Sequence, residues 1–242
     1  FAEWAKSLGG IYGVNMGQQY WIILTSDKVV GDLLQKRGGK YSTRMSSYYL
    51  HDIYTRSKGY FGCPYNERFR MLTPILHGAV GQRSVKENSD LLTNEFCLLM
   101  QNICKTSTNA KDGFYPKQCF QLASLNIITS LCLNKRTETV NDPYYTEFEA
   151  VMGEHVVLGS ITNRLSEFFP IVKLFPNTSF IKKLIASRTK VEAFYSKMIK
   201  EVEDDKEKKP CIIRNFLNKK EEGILDELDI IYLLDAVFAA GT

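Results

Sequence analysis

Long apolar runs are the first thing this chain lacks. No stretch reaches the roughly 18 to 20 residues needed to cross a bilayer, and no secretory leader is visible, so the sequence predicts no spanning helix in its 242 residues. The first residue is Phe1 and not Met, which leaves open an anchor ahead of it. Paired cysteines are also missing. Cys63, Cys97, Cys104, Cys119, Cys132 and Cys211 form no C-x-x-C pair and no zinc-like spacing. Most sit in apolar helical surroundings, where a thiol behaves as a small hydrophobe, and the set suits a reducing compartment. The three histidines, His51, His77 and His155, are far apart and stand beside no nucleophile. They suggest no triad, and each reads as a surface or satisfied core residue. Walker, G-x-G-x-x-G and H-E-x-x-H patterns are absent, as are repeats and low-complexity tracts. One-sided charge is missing as well. The 31 basic residues are interleaved with 27 acidic ones for a net charge of +4, which argues against a nucleic-acid surface.

What remains is an ordinary globular composition with a short β region followed by a long helical one. Ile11 to Met16 and Tyr20 to Leu24 read as a hairpin around a three-residue loop, Gly17-Gln18-Gln19. Ser26 is expected to cap a helix over Asp27 to Lys36, stopped by Gly38-Gly39. Lys40 to Pro64 carries five tyrosines with weak periodicity, which suggests irregular structure with one short helix. The next helix begins at Asn66 and should kink near Leu72 or Thr73, ahead of Pro74. Glu87 to Lys105 follows, with a stripe of Leu91, Leu92, Phe96, Leu99 and Ile103. Cys119 to Leu133 reads as a core helix, and Asp142-Pro143 starts another through about Leu158. Pro170 and Pro176 bracket an irregular section. Ser179 then caps a long amphipathic helix whose stripe is Ile181, Leu184, Ile185, Val191, Phe194, Met198 and Val202. Glu201 to Lys209 reads as a solvated connector. A short helix from Cys211 to Leu217 leads to a last one opening near Ile224.

That last helix runs apolar from Leu233 into Ala239-Ala240-Gly241-Thr242 with its pattern unfinished, so the sequence reads as a cut rather than a terminus. A glycine inside a helix costs about 1 kcal/mol relative to alanine. Gly241 therefore implies a close approach to the backbone, by a packed helix or by a ligand. Asp235 is the one charge between Leu233 and Thr242.

Taken in order, several segments resemble the N-terminal half of a haem-thiolate monooxygenase of the cytochrome P-450 family, of fungal type. They are Phe1-Ala2-Glu3-Trp4-Ala5-Lys6, Leu8 to Val14 with Met16-Gly17, Trp21 to Ser26, the helix-like Val29 to Arg37, and Tyr41-Ser42-Thr43-Arg44. Pro64-Tyr65-Asn66-Glu67-Arg68-Phe69-Arg70 looks like the family's haem-proximal third helix. Ala240-Gly241-Thr242 looks like the opening of its oxygen-activation motif.

The resemblance implies one partial domain over residues 1–242, mostly α with a small β hairpin region (α+β), ending at the start of the long central helix motif. The axial cysteine would lie beyond the chain end, so no metal ligand is assigned here. The implied cofactor is haem, which would carry the hard chemistry, and NADPH would serve indirectly through a reductase docking near Arg68 and Arg70. An apolar small molecule and dioxygen would be the substrates, and the endoplasmic reticulum membrane the location. At the family's propionate-binding tryptophan stands Phe69, which cannot donate a hydrogen bond, and Thr73 replaces the basic residue four positions on. Arg70 is then the remaining clamp, unless it is simply solvated beside Glu67. Ser46 to Phe61 resembles the variable substrate-roofing loop, in which Tyr48, Tyr49, Tyr54, Tyr60 and Phe61 suit an apolar ligand. The alternative is a loop packed by its own side chains. Phe61-Gly62-Cys63 is similar to the thiolate loop only superficially, because Phe61 and Tyr65 occupy its Arg and Gly places. A catalytically inert helical interaction protein, or a carrier of hydrophobic ligands, remains the competing reading.

Overall fold

Residues 1–45, 47–110, 113–158, 168–169, 171 and 178–241 are described by a computed structural model, apart from the side chains of 109 and 154–158. Helix α1 (Ala2–Leu8) leads into strands β1 (Ile11–Met16) and β2 (Gln19–Leu24), which pair antiparallel from Ile11 opposite Leu24 to Met16 opposite Gln19. The connection is two residues and not three, because Gln19 joins the ladder. Gly17 is required there twice over: its φ is +64°, and a Cβ would lie 2.4 Å from the Phe168 carbonyl oxygen. The Gln18 amide donates to that same oxygen at 2.9 Å.

Helix α2 (Asp27–Val30) starts where expected, but Ser26 makes no side-chain cap, and the chain continues as a π-helical turn over Gly31–Lys36. Gly38 and Gly39 open the short helix α3 (Gly38–Tyr41) instead of ending one, since neither takes the left-handed conformation of a helix stop. The tyrosine-rich stretch then forms a second π-helical turn, Tyr48–Tyr54, where the Ser47 hydroxyl accepts from the Leu50 amide at 3.2 Å. Helix α4 (Glu67–Val80) begins at Asn66, whose side chain accepts from the Phe69 amide at 3.0 Å. It continues through Pro74 to Val80. Leu72 and Ala79 on either side are both buried, and that packing offsets the ladder bond lost at proline.

The helical body follows in α5 (Gln82–Glu87), α6 (Ser89–Asn109), α7 (Lys117–Leu133), α8 (Pro143–Leu158), α9 (Thr178–Glu203), α10 (Ile212–Glu221) and α11 (Glu227–Gly241). Helix α7 packs on α6, α10 and α11, while α9 packs on α8, α11 and the second π-turn. Leu125, Leu184, Ile213, Ile230, Leu234 and Phe238 are fully buried where these helices meet. The fold class read from the sequence, mostly α with a small β hairpin, is the one observed.

Some faces differ from expectation. Phe96 is 58% exposed, while its neighbour Glu95 is buried and bonded to the Arg136 guanidinium at 2.7 Å. Phe96 alone departs from the stripe of α6, in which Leu99 is buried and Leu91, Leu92 and Ile103 are half-buried; the partner that lets the Glu95 carboxylate go inside lies 41 residues downstream. Ile185 is exposed on α9, whereas Tyr195, Ser187 and Ile199 are buried. Ser179 sits inside the first turn of α9 instead of capping it. The last helix opens at Glu227 and not Ile224, after Gly223 takes a φ of +75°. Ser46, Pro170, Pro176, Thr242 and the side chain of His155 lie outside the described residues.

These burials separate two substitutions. Leu125→Ala should cost about 2–5 kcal/mol, and Phe96→Ser should stay within about 0.5 kcal/mol. Chemical denaturation of both variants checks the pair, and an equal cost would refute the observed face of α6.

Candidate functional site

The start of α11 is fixed by two aspartates. The Asp229 amide donates to the Asp226 side chain at 2.8 Å, and the Asp226 amide donates to the Asp229 side chain at 3.0 Å. This reciprocal cap satisfies two of the donors that a helix start leaves over. Asp229 is only 4% exposed, so its charge needs cations: Arg68 binds the same carboxylate, and the Lys58 ammonium reaches it at 3.1 Å. Arg68 also donates to the Lys58 carbonyl at 3.1 Å. The segment from Lys58 to Arg68 is thereby fastened to α11 at both ends.

A second set of bonds holds the preceding π-turn. The Tyr232 hydroxyl of α11 lies 2.9 Å from both the Tyr54 carbonyl and the Glu192 carboxylate of α9. Glu192 also pairs with Arg56 at 3.2 Å, and Arg188 donates to the Ile53 carbonyl at 2.8 Å. After the turn, Arg56 and Ser57 both adopt left-handed backbone, with φ of 50° and 60°. The Ser57 amide holds that reversal through the His51 carbonyl at 2.7 Å.

Between the roof and α11 lies a cavity of about 470 Å³. Tyr54, Tyr60 and Phe61 line it, and Tyr232, Asp235 and Ala236 form its floor. Arg44 and Met45 stand at its exposed edge, and Leu50 and His51 complete the π-turn wall. The cavity therefore brings together three of the five aromatic residues proposed to contact substrate. Tyr49 is instead in the helical core, its ring against Phe180 at 5.2 Å, and Tyr48 is exposed beside it. Phe69 stacks on Tyr60 at 5.3 Å and 14°, and the Tyr60 hydroxyl lies 3.2 Å from that of Thr73. The aromatic wall of the cavity is thus continuous with the face of α4 that carries Phe69.

The remaining candidates separate. Arg70 is exposed, its guanidinium 5.4 Å from the centre of the Tyr65 ring, and among the described residues it makes no ion pair with Glu67 or any other carboxylate. Arg68 is committed to Asp229 and cannot be a free docking charge. Ala240 and Gly241 lie at the exposed end of α11, and a Cβ at Gly241 would sit 2.6 Å from the Ile128 side chain of α7. The approach is made by the far end of the isoleucine side chain. Cys63 is buried, its thiol 3.7 Å from the Asn66 side-chain oxygen; burial pushes its pKa up, and Arg68 only partly counters this. Burial thus favours its neutral thiol over the thiolate. Sequence reasoning passed over Tyr232 and Asp229, whose roles depend on contacts across as many as 178 residues, and read as satisfied a histidine, His51, whose Nδ1 is buried without a partner among the described residues.

The sequence model of the Cytochrome P450 family matches residues 1–242. A trans-cinnamate 4-monooxygenase from Ruta graveolens is 21% identical, over 99% of this chain and 49% of the relative. A cytochrome P450 monooxygenase from Arthrobotrys oligospora is 25% identical over 82% of the chain and 37% of the relative. A 3-hydroxyphenylacetate 6-hydroxylase from Emericella nidulans is 23% identical over 93% and 44% respectively. The chain spans about half the length, or less, of these curated relatives.

The cap of α11 has a defined pH response. Burial alone would raise the Asp226 pKa, but the Lys58 ammonium and the Asp229 amide outweigh it and hold the carboxyl below its ordinary value. Its contribution is therefore present above about pH 4 and is lost as pH falls through the depressed value. Burial would lower Lys58, yet Asp226 and Asp229 hold it above its ordinary value. That contribution is full below about pH 10.4 and disappears as pH rises through the raised value. Protection of the Asp229 amide, taken as its exchange rate against the intrinsic rate at each pH, should be high between these limits and fall in acid. Asp226→Asn should remove the acid limb; an unchanged acid limb would refute the cap.

Proposed function

The chain belongs to the cytochrome P450 family, and from that membership we propose that the intact protein is a haem-dependent monooxygenase acting on an apolar organic substrate. The observation that supports this most is the 470 Å³ cavity walled by Tyr54, Tyr60, Phe61 and Tyr232, a volume within the range of small-molecule pockets. One atom of dioxygen would enter a C–H bond of the substrate. Two electrons and two protons would reduce the other atom to water.

Haem, when bound, would supply dioxygen activation at its iron. The residues present fit it at the propionate edge: Arg70 is exposed beside Phe69 with no carboxylate partner among the described residues. Its guanidinium can take a carboxylate bidentately, which Phe69 and Thr73 cannot. Phe69, stacked on Tyr60, would offer an apolar edge continuous with the substrate wall. Within the cavity the aromatic rings would exclude water and orient the substrate, while the Asp226–Asp229 cap keeps roof and floor in register. NADPH would be the electron source through a reductase. Of the two arginines considered for its docking, Arg68 is paired with Asp229 and Arg70 is given to the propionate, so steering would fall to other surface charges. A fungal origin and the endoplasmic reticulum membrane complete the reading. Fungal relatives are among those matched, and no helix among the described residues is long and apolar enough to cross a membrane, so attachment would need another segment.

The test is carbon monoxide binding to the reduced, haem-loaded full-length protein, with a thiolate-type Soret band expected and its absence refuting the proposal. In the same protein Arg70→Ala should cost on the order of 2–3 kcal/mol in haem retention, and Arg70→Lys should cost part of that. Equal haem occupancy in all three would exclude Arg70 as the clamp.

A further inference from the structure

Two long helices of this chain turn a side outward, and the two sides differ in kind. On α9 the exposed residues include Lys182, Lys183, Lys190, Lys197 and Lys200, as expected of a side that meets water. On α6 the exposed residues Thr93, Cys97, Met100 and Cys104 follow one another at spacings of four, three and four residues. That is the repeat of a seam by which one helix packs on another, and here it carries no charge. The one charged residue between Asp90 and Lys105 is Glu95, which is turned inward to Arg136. The hydroxyls on this side ask little of water. Thr93 donates to the Ser89 carbonyl at 2.8 Å, and Ser107 and Thr108 donate to the Cys104 carbonyl at 2.9 Å and 2.8 Å. Met100 and the bordering Phe96 are each more than half exposed. An uncharged row of small side chains and a thioether suits a second helix better than solvent.

The charges at the two ends of the row select that helix. Asp90 stands at its start and Lys105 just past its last cysteine; both are exposed, and among the described residues neither has an ion-pair partner. A copy of the same helix laid antiparallel answers both. A twofold axis midway between them sets Asp90 of each copy beside the partner's Lys105, so that one complementary contact is made twice. A parallel copy would set like charge against like. The midpoint of residues 90 and 105 falls between Cys97 and Leu98, so Cys97 and the partner's Cys97 meet near the axis, about 1.5 Å apart along the helix. Small side chains at such a contact let two helix axes approach to about 8 Å, which brings the two thiols within reach of each other. Cys104 and the partner's Cys104 would stand about 20 Å apart along the same direction. We propose that this outward row of α6 is a homodimer interface, in which two copies pair antiparallel about Cys97 with Asp90 of each bound to the partner's Lys105.

The test uses the haem-loaded full-length protein. Sedimentation velocity should show a monomer–dimer equilibrium. Asp90→Lys should weaken the dimer on the order of tenfold or more, because it sets like charges together at both ends. Adding Lys105→Asp to that variant should restore the dimer, which guards against misfolding as the cause of the loss. The axis is tested by oxidised glutathione, which accepts two electrons and two protons from a pair of thiols and leaves as two molecules of reduced glutathione while they form a disulfide. Peptide mapping of the covalent dimer should find Cys97 joined to the partner's Cys97 in wild type and in Cys104→Ser, and Cys97→Ser should form no such bridge. A protein that stays monomeric, a dimer that Asp90→Lys leaves unchanged, or a swap that does not restore it overturns the proposal. So does a covalent dimer joined through Cys104 or the lack of any bridge at Cys97. A monomer whose Cys97 resists N-ethylmaleimide would place another part of its own chain on the row, and overturns it as well.

Discussion

A buried carboxylate at the start of the last helix governs how this chain is assembled. Removing an isolated charge from water costs several kcal/mol unless partners replace the lost hydration. Asp229 collects them from three places: a backbone amide of its own cap, the guanidinium of Arg68 on α4, and the ammonium of Lys58 on the roof. No one of these elements can shift without stranding the charge. The position of α11 under the cavity, the fixed far limb of the roof and the angle at which α4 presents Phe69 are therefore one decision and not three. It also explains why an arginine in a segment that looks like a docking face is not on the surface: its partner lies 161 residues away.

That separation marks the boundary of what the sequence could tell. Elements set by local chemistry were legible. The hairpin strands, the Asn66 start, the apolar α7 and the Pro143 start all follow from periodicity, caps and turn residues within a few positions. Misreadings arose where a distant partner inverted the local rule. Glu95 goes inside because Arg136 meets it, and Phe96 goes outside in consequence. The two π-helical turns left no trace in the pattern either, because their extra residue per turn breaks the 3.6-residue spacing by which helices are recognised.

The cavity was half legible in the same sense. Tyrosine density pointed to the right segment but could not say which rings face inward. On the π-turn, Tyr49 goes to the core and Tyr54 to the cavity wall. Gly241 showed the opposite limit: the need for a small residue was plain in the sequence, but the thing approaching it, Ile128, was not.

The roof is asymmetric in how it is held. Its far limb, Lys58 to Arg68, is bound by charge to α11, while Arg44 and Met45 at the near edge are exposed. The near limb is tied too, by the Tyr232 hydroxyl at the Tyr54 carbonyl, by Arg188 at the Ile53 carbonyl and by the Gln19 side-chain amide at the Met45 thioether. With anchors on both limbs the roof is a span resting on two abutments, so the cavity keeps its shape by bonds of the chain itself and needs no occupant to brace it.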